Sequence, residues 1–174
     1  MNTSVNPTMA ILAFILSAVI FATYIISYCM RHGIPPSISA SYYRLRHHLL
    51  FTLTIWAAAG LILPAGIMLS RSITQWFIYT SATGMFLVGA APKMKDAHQK
   101  YIHDFGGFLT VAGSMLWVAF NHPQSLRLWW FLLVYGLYLF FRKEKFSTSN
   151  PLFFVELIAI ATLYTALLLK FIQL

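Results

Sequence analysis

Six long apolar runs constrain this chain more than any other feature of its sequence. A helix needs about 20 residues, with a range of about 17 to 25, to cross the hydrocarbon core of a bilayer. The first, second and last runs reach that length, and the helices of the other three should extend into their flanks. The runs cover Met9 to Met30, Leu49 to Leu69, Trp76 to Ala91, Phe105 to Phe120, Leu126 to Phe141 and Leu152 to Phe171.

The composition supports a membrane protein, because 59% of the residues are hydrophobic and only 9% are charged. The surface of such a chain must face lipid rather than water. No soluble domain of any size fits between the apolar runs. The sequence therefore predicts an all-α fold, a polytopic transmembrane bundle of six helices that forms one integral membrane domain over residues 1–174, surrounded by membrane lipids.

The distribution of basic residues predicts the orientation of this bundle. The formal net charge of +8 could suggest nucleic acid, but the twelve basic residues lie in short clusters between apolar runs. Lys and Arg in such connections are retained on the cytoplasmic side. We therefore expect no nucleic acid partner and both termini outside the cytoplasm, because nine basic residues follow the first, third and fifth runs, namely Arg31, Arg44, Arg46, Lys93, Lys95, Lys100, Arg142, Lys143 and Lys145.

The N-terminal run has the character of a retained helix. Its first positive charge, Arg31, follows the apolar run instead of preceding it, which is unlike a cleaved signal peptide. A multi-pass protein of the bacterial inner (plasma) membrane is the simplest expectation.

The most polar connection, Pro92 to Asp104, contains Asp96, His98 and His103. Imidazole and carboxylate groups together suit zinc or another first-row divalent metal. With His47 from the connection before the second run, His98 and His103 form a predicted set of metal ligands. The alternative is a solvated loop that only sets topology, and the spacing favours it, because five residues turn a helix by about 140° away from a shared face.

His103 begins a stripe that should face the interior of the bundle. His103, Gly106, Thr110, Gly113 and Trp117 recur at helical spacing, and small residues on such a stripe let neighbouring membrane helices approach closely. A functional histidine and a structural one that bonds a neighbouring carbonyl or hydroxyl are both compatible with this position.

Glu156 is the most informative single residue. It lies five positions after Pro151, about 7.5 Å into the last helix at 1.5 Å per residue, within an apolar stretch. A carboxylate at that depth needs a partner. A metal ligand, a proton-relay group and a structural ion pair are all compatible with this position.

Two resemblances follow from these segments. Pro36 to Ser39 followed by Tyr42 and Tyr43, and Val88 to Pro92 followed by a lysine, resemble a group of small, uncharacterised polytopic membrane proteins of bacteria and their phages. The inventory of serine, aspartate and histidines near one membrane face also resembles the membrane hydrolases that include the alkaline ceramidases and the adiponectin receptors. That second resemblance implies zinc and hydrolysis of a lipid amide or ester. The superfamily has seven helices with a histidine pair on the last, whereas the last run here carries Glu156 and no histidine.

Three classes of function remain open. An interaction or structural role, with an oligomer or another protein as partner, is the leading interpretation. A metal-dependent hydrolase would use His47, His98 and His103 as ligands, and Asp96 or Glu156 would take a proton from the activated water. A proton-coupled or ion-coupled transporter or a ligand-binding protein would use Glu156 as its titrating group.

Overall fold

The computed structural model describes residues 6–93, 95–142 and 150–174. All regular structure in these ranges is helical, which confirms the predicted all-α bundle. The α-helices are α1 (Pro7–His32), α2 (Leu49–Leu69), α3 (Gln75–Ala90), α4 (Ala97–Asn121), α5 (Trp130–Arg142) and α6 (Pro151–Ile172), and short 3-10 segments cover Ser39–Arg44, Ser72–Thr74 and Pro123–Trp129.

Local signals at the ends of the helices explain several of these boundaries. The Asn6 side chain caps α1 by accepting a hydrogen bond from the Thr8 amide at 3.0 Å. At the other end of α1, Gly33 adopts a φ of 75°, a conformation that favours glycine. Pro151 occupies the first position of α6, where a proline needs no amide hydrogen.

The number of candidate membrane spans is lower than the sequence predicts. Within the described ranges, four helical segments are long and apolar enough to cross a membrane: Pro7–His32, Leu49–Leu69, Pro123–Phe141 and Pro151–Ile172. The prediction of six spans is therefore wrong for α3 and α4, which are not among these candidate spans. The 16 residues of α3 rise only about 24 Å. α4 begins with a polar stretch, so its apolar part is shorter than the helix.

α3 and α4 pack against each other through small residues. A Cβ on Gly84 would lie 2.5 Å from the Gly106 carbonyl oxygen, and one on Gly113 would lie 2.6 Å from the Ser81 amide nitrogen. Ser81 also donates its hydroxyl to the Thr110 carbonyl at 3.1 Å. The predicted interior stripe on α4 is therefore confirmed, since four of its members are buried and Thr110 is half-buried.

Two hydrophobic clusters hold the helices together. One surrounds Trp117 and includes Ile78 and Leu167, and the other surrounds Phe51 and includes Phe153. Both clusters contribute residues to the wall of one cavity, which is the candidate site.

Candidate functional site

A cavity of about 370 Å³ lies among α1, α2, α3, α4, α6 and the segment that enters the first 3-10 turn. Its wall is mostly apolar, with contributions from Phe21, Ile55, Met85 and Leu163. A few polar side chains interrupt that wall: Ser37, Ser39, Ser81, His103, Asp104, Thr110, Ser114, Glu156 and Tyr164. A concave apolar space of this size with a few convergent polar groups is typical of a small-molecule site.

Glu156 stands half-buried on the α6 wall of this cavity. Its Oε2 atom accepts a hydrogen bond from the Ile38 amide at 2.5 Å. Within the described ranges the only ion pair joins Lys100 to Asp104 on the surface, so Glu156 has no basic partner there. The structural ion pair suggested for Glu156 is thus not formed in this part of the chain, and a backbone amide serves instead.

The turn around Ser37 directs that amide toward α6. The Ser37 hydroxyl accepts from the Ala40 amide at 3.0 Å, which closes the turn. The Ser41 hydroxyl donates to the Ile38 carbonyl at 2.5 Å and also bonds the Tyr24 hydroxyl of α1. Both polar groups of the Ile38 backbone are therefore occupied by side chains from neighbouring elements.

His103 lies at the cavity wall and is only 6% exposed. Its Nδ1 donates to the carbonyl of Ala91, the residue just after α3, at 2.9 Å. This bond satisfies a carbonyl at the end of a helix, which otherwise lacks an intrahelical partner. His103 precedes the apolar stretch of α4, and its burial lowers its pKa, while the bond to Ala91 opposes that shift. The structural alternative for His103 is therefore realised, although the ring also faces the cavity.

The predicted metal ligands are not brought together. His98 is exposed in the first turn of α4, His103 is buried five residues later, and His47 is exposed just before α2. No group of three or more His, Cys, Asp or Glu side chains able to hold a metal occurs among the described residues. The set His47, His98 and His103 therefore does not fit zinc, and the reason is the helical turn between the two histidines of α4.

Asp96, a predicted catalytic carboxylate, is exposed and does not line the cavity. Its side chain accepts from the His98 amide at 3.0 Å and caps the N-terminus of α4. This capping bond gives the aspartate at position 96 a structural role at the start of α4.

Sequence reasoning missed a second polar contact of the cavity, at Tyr164. The Tyr164 hydroxyl bonds the Ser17 hydroxyl of α1 at 2.6 Å, and Ser17 donates to the Ala58 carbonyl of α2 at 2.9 Å. Tyr164 lies eight residues after Glu156 with Ile160 between them, and all three line the cavity. Spacing of four along α6 therefore carried a signal for this residue.

The helical fold, the apolar spans and the cavity together define the class: a helical membrane protein with a mostly apolar cavity that a few polar side chains line. Comparisons with protein-family models, with curated proteins and with solved structures find no match to this chain. Since a fold alone does not fix function, the cavity geometry carries the functional argument.

Proposed function

We propose that this chain is an integral membrane protein that binds a small, largely apolar molecule bearing one amine group in the cavity beside Glu156. The observation that carries this proposal is the carboxylate of Glu156 at the cavity wall, bonded by the Ile38 amide and by no basic side chain of the described ranges. A ligand amine would supply the opposite charge that no described side chain provides.

The cavity wall supports the remaining features of this ligand. Aliphatic and aromatic residues from all sides favour an apolar body, because burial of apolar surface contributes about 25 cal/mol per Å². A charge-assisted hydrogen bond between an ammonium and a carboxylate is about twice as strong as a neutral one. The volume of about 370 Å³ limits the ligand to a small molecule or to a single alkyl chain.

A titration with decylamine tests this function in protein reconstituted into lipid nanodiscs. Decylamine should bind the native protein, and Glu156→Gln should weaken binding by about 10-fold or more, because hydrogen bonds to charged groups contribute about 1.5–3 kcal/mol. Decanol, which has the same chain without the positive charge, should bind both proteins similarly.

Asp96→Asn is the matched control for this titration. It makes the same carboxyl-to-amide change on an exposed residue outside the cavity, and Asn also caps helices well. Decylamine affinity should not change in this variant. Equal decylamine affinity in folded Glu156→Gln and native protein would contradict the proposal.

The same proposal includes the arrangement in the membrane. We place the four candidate spans across a bacterial inner membrane, with both termini outside the cytoplasm. Six basic residues lie at the end of the first span and in the connections after the first and third spans, and four lie in the connection after the second, which supports this orientation. Labelling of Leu174→Cys in a Cys29→Ser background by an impermeant maleimide tests it, since a C-terminus labelled only after lysis would contradict the orientation.

An interaction role is the second candidate, and α5 is the observation that favours it. The candidate span that contains α5, Pro123–Phe141, has only 11% of its apolar stretch buried inside the protein. Each of the other three candidate spans has 28% or more buried. α5 therefore leaves most of its apolar surface for lipid or for a partner helix. Val134→Cys in a Cys29→Ser background should form a disulfide-linked dimer in membranes if α5 pairs with a second copy, and failure to cross-link along α5 would refute that pairing.

A further inference from the structure

A second cavity of about 780 Å³ opens between α1 and α2, on the side of Tyr24 and Thr54. We call it the basic groove. Its deeper part is formed by apolar and hydroxyl-bearing residues such as Val19, Ile20 and Thr54. Its mouth lies at the end of α1 and just before α2, where five basic side chains line it: Arg31, His32, Arg44, Arg46 and His47.

Among the described residues, no acidic side chain compensates the charges of the three arginines in the groove. The lining includes neither Asp nor Glu, and the one ion pair of the described ranges, between Lys100 and Asp104, lies elsewhere. Arg44 is held at the mouth because its Nη1 donates to the His32 carbonyl at 3.3 Å. The mouth therefore presents a positive surface that attracts an anion.

An independent feature of the same groove is an unpartnered hydroxyl. Tyr28 lines the groove with only 4% of its surface exposed, and its hydroxyl has no hydrogen-bond partner among the described atoms. Its ring lies against His32, with 5.1 Å between ring centroids. Buried hydroxyls nearly always find a partner, so an acceptor oxygen at this point would complete the site.

We propose that the basic groove binds an anionic phospholipid, with the phosphate at Arg31 and Arg44 and an acyl chain along Val19 and Ile20. Arginine offers paired donors to phosphate oxygens. Basic pockets between membrane helices bind anionic headgroups in this way. A phospholipid fits better than free phosphate because the groove continues from charged mouth to apolar wall at the end of two candidate spans.

The test compares phosphatidylglycerol with phosphatidylcholine, each titrated into detergent-purified protein and followed by native mass spectrometry. Phosphatidylglycerol should bind more tightly. The double variant Arg31→Gln/Arg44→Gln should weaken it by about 30-fold, since each arginine near an anionic headgroup contributes roughly fivefold. The double variant Arg71→Gln/Arg127→Gln removes the same charge outside the groove and should leave the affinity unchanged.

Tyr28→Phe is a second, milder variant that keeps the ring. It should weaken phosphatidylglycerol binding several-fold without lowering the melting temperature of the lipid-free protein, since no hydrogen bond is lost within the described protein. Equal affinity for both lipids, or unchanged phosphatidylglycerol affinity in Arg31→Gln/Arg44→Gln, would overturn the proposal. Competition by glycerophosphate as strong as by the lipid would indicate an anion site without an acyl-chain contact and would also contradict it.

Glu156→Gln separates this inference from the amine-binding function. Glu156 does not line the basic groove, so that variant should bind phosphatidylglycerol as the native protein does. Loss of phosphatidylglycerol binding in Glu156→Gln would contradict the assignment to the groove.

Discussion

Replacement of Gly106 by alanine should destabilise the pair formed by α3 and α4. A Cβ at this position would lie 2.8 Å from the Gly84 carbonyl oxygen and 3.0 Å from the Val88 amide nitrogen. These neighbours are backbone atoms, so the two helices must move apart to accommodate the methyl group. Extra methylene groups in well-packed interiors typically cost about 1–3 kcal/mol.

The adjacent glycine provides the control. A Cβ at Gly107 meets no atom within 4 Å, so Gly107→Ala adds a methyl group on the same helix without a clash. Alanine also favours helix over glycine by roughly 1 kcal/mol. We therefore expect Gly107→Ala to be neutral or stabilising, in contrast to Gly106→Ala.

Thermal unfolding of the purified proteins in one detergent measures the difference. A loss of 1 kcal/mol corresponds to about 2–4 °C for a protein of this size, so Gly106→Ala should lower the melting temperature by roughly 2–12 °C. Equal melting temperatures for Gly106→Ala and Gly107→Ala would refute the close packing of α3 on α4.

Two further substitutions test contacts outside the cavity. Ser70→Ala removes the acceptor of the fully buried Trp117 indole, which donates to Ser70 Oγ at 2.6 Å. The orphaned buried donor should cost about 1–3 kcal/mol in thermal unfolding, and the cost of Ser70→Ala should be smaller in a Trp117→Phe background, where only the bond from Ser70 to the Gly66 carbonyl is lost. Asp96→Ala removes the cap of α4 and should cost about 1 kcal/mol, whereas Asp96→Asn should cost little; equal losses in both variants would contradict the capping role.

Elements with strong local signals were predicted well from the sequence. α2 has the predicted bounds because its apolar run is continuous through Pro64, and α6 begins at the predicted Pro151. The interior face of α4 was predicted from the spacing of its small residues. This prediction does not require the partner helix to be known. In each case the information lies within one helix.

Features that depend on contacts between distant segments could not be predicted in the same way. The Glu156 carboxylate accepts a hydrogen bond from an amide 118 positions away in the sequence. No sequence pattern predicts that a backbone amide will be the partner of this carboxylate. The predicted histidine set is not assembled, as the five-residue spacing of His98 and His103 already indicates, because that spacing places the two side chains on different faces of α4. His98 and His103 point to water and to the interior of the bundle.

A crystal structure of the protein with 10-bromodecylamine tests the central claim most directly. The account predicts the amine within hydrogen-bonding distance of the Glu156 carboxylate and a bromine anomalous peak inside the cavity lined by α4 and α6. Bromine peaks confined to the lipid-facing surface, with no ligand beside Glu156, would contradict it.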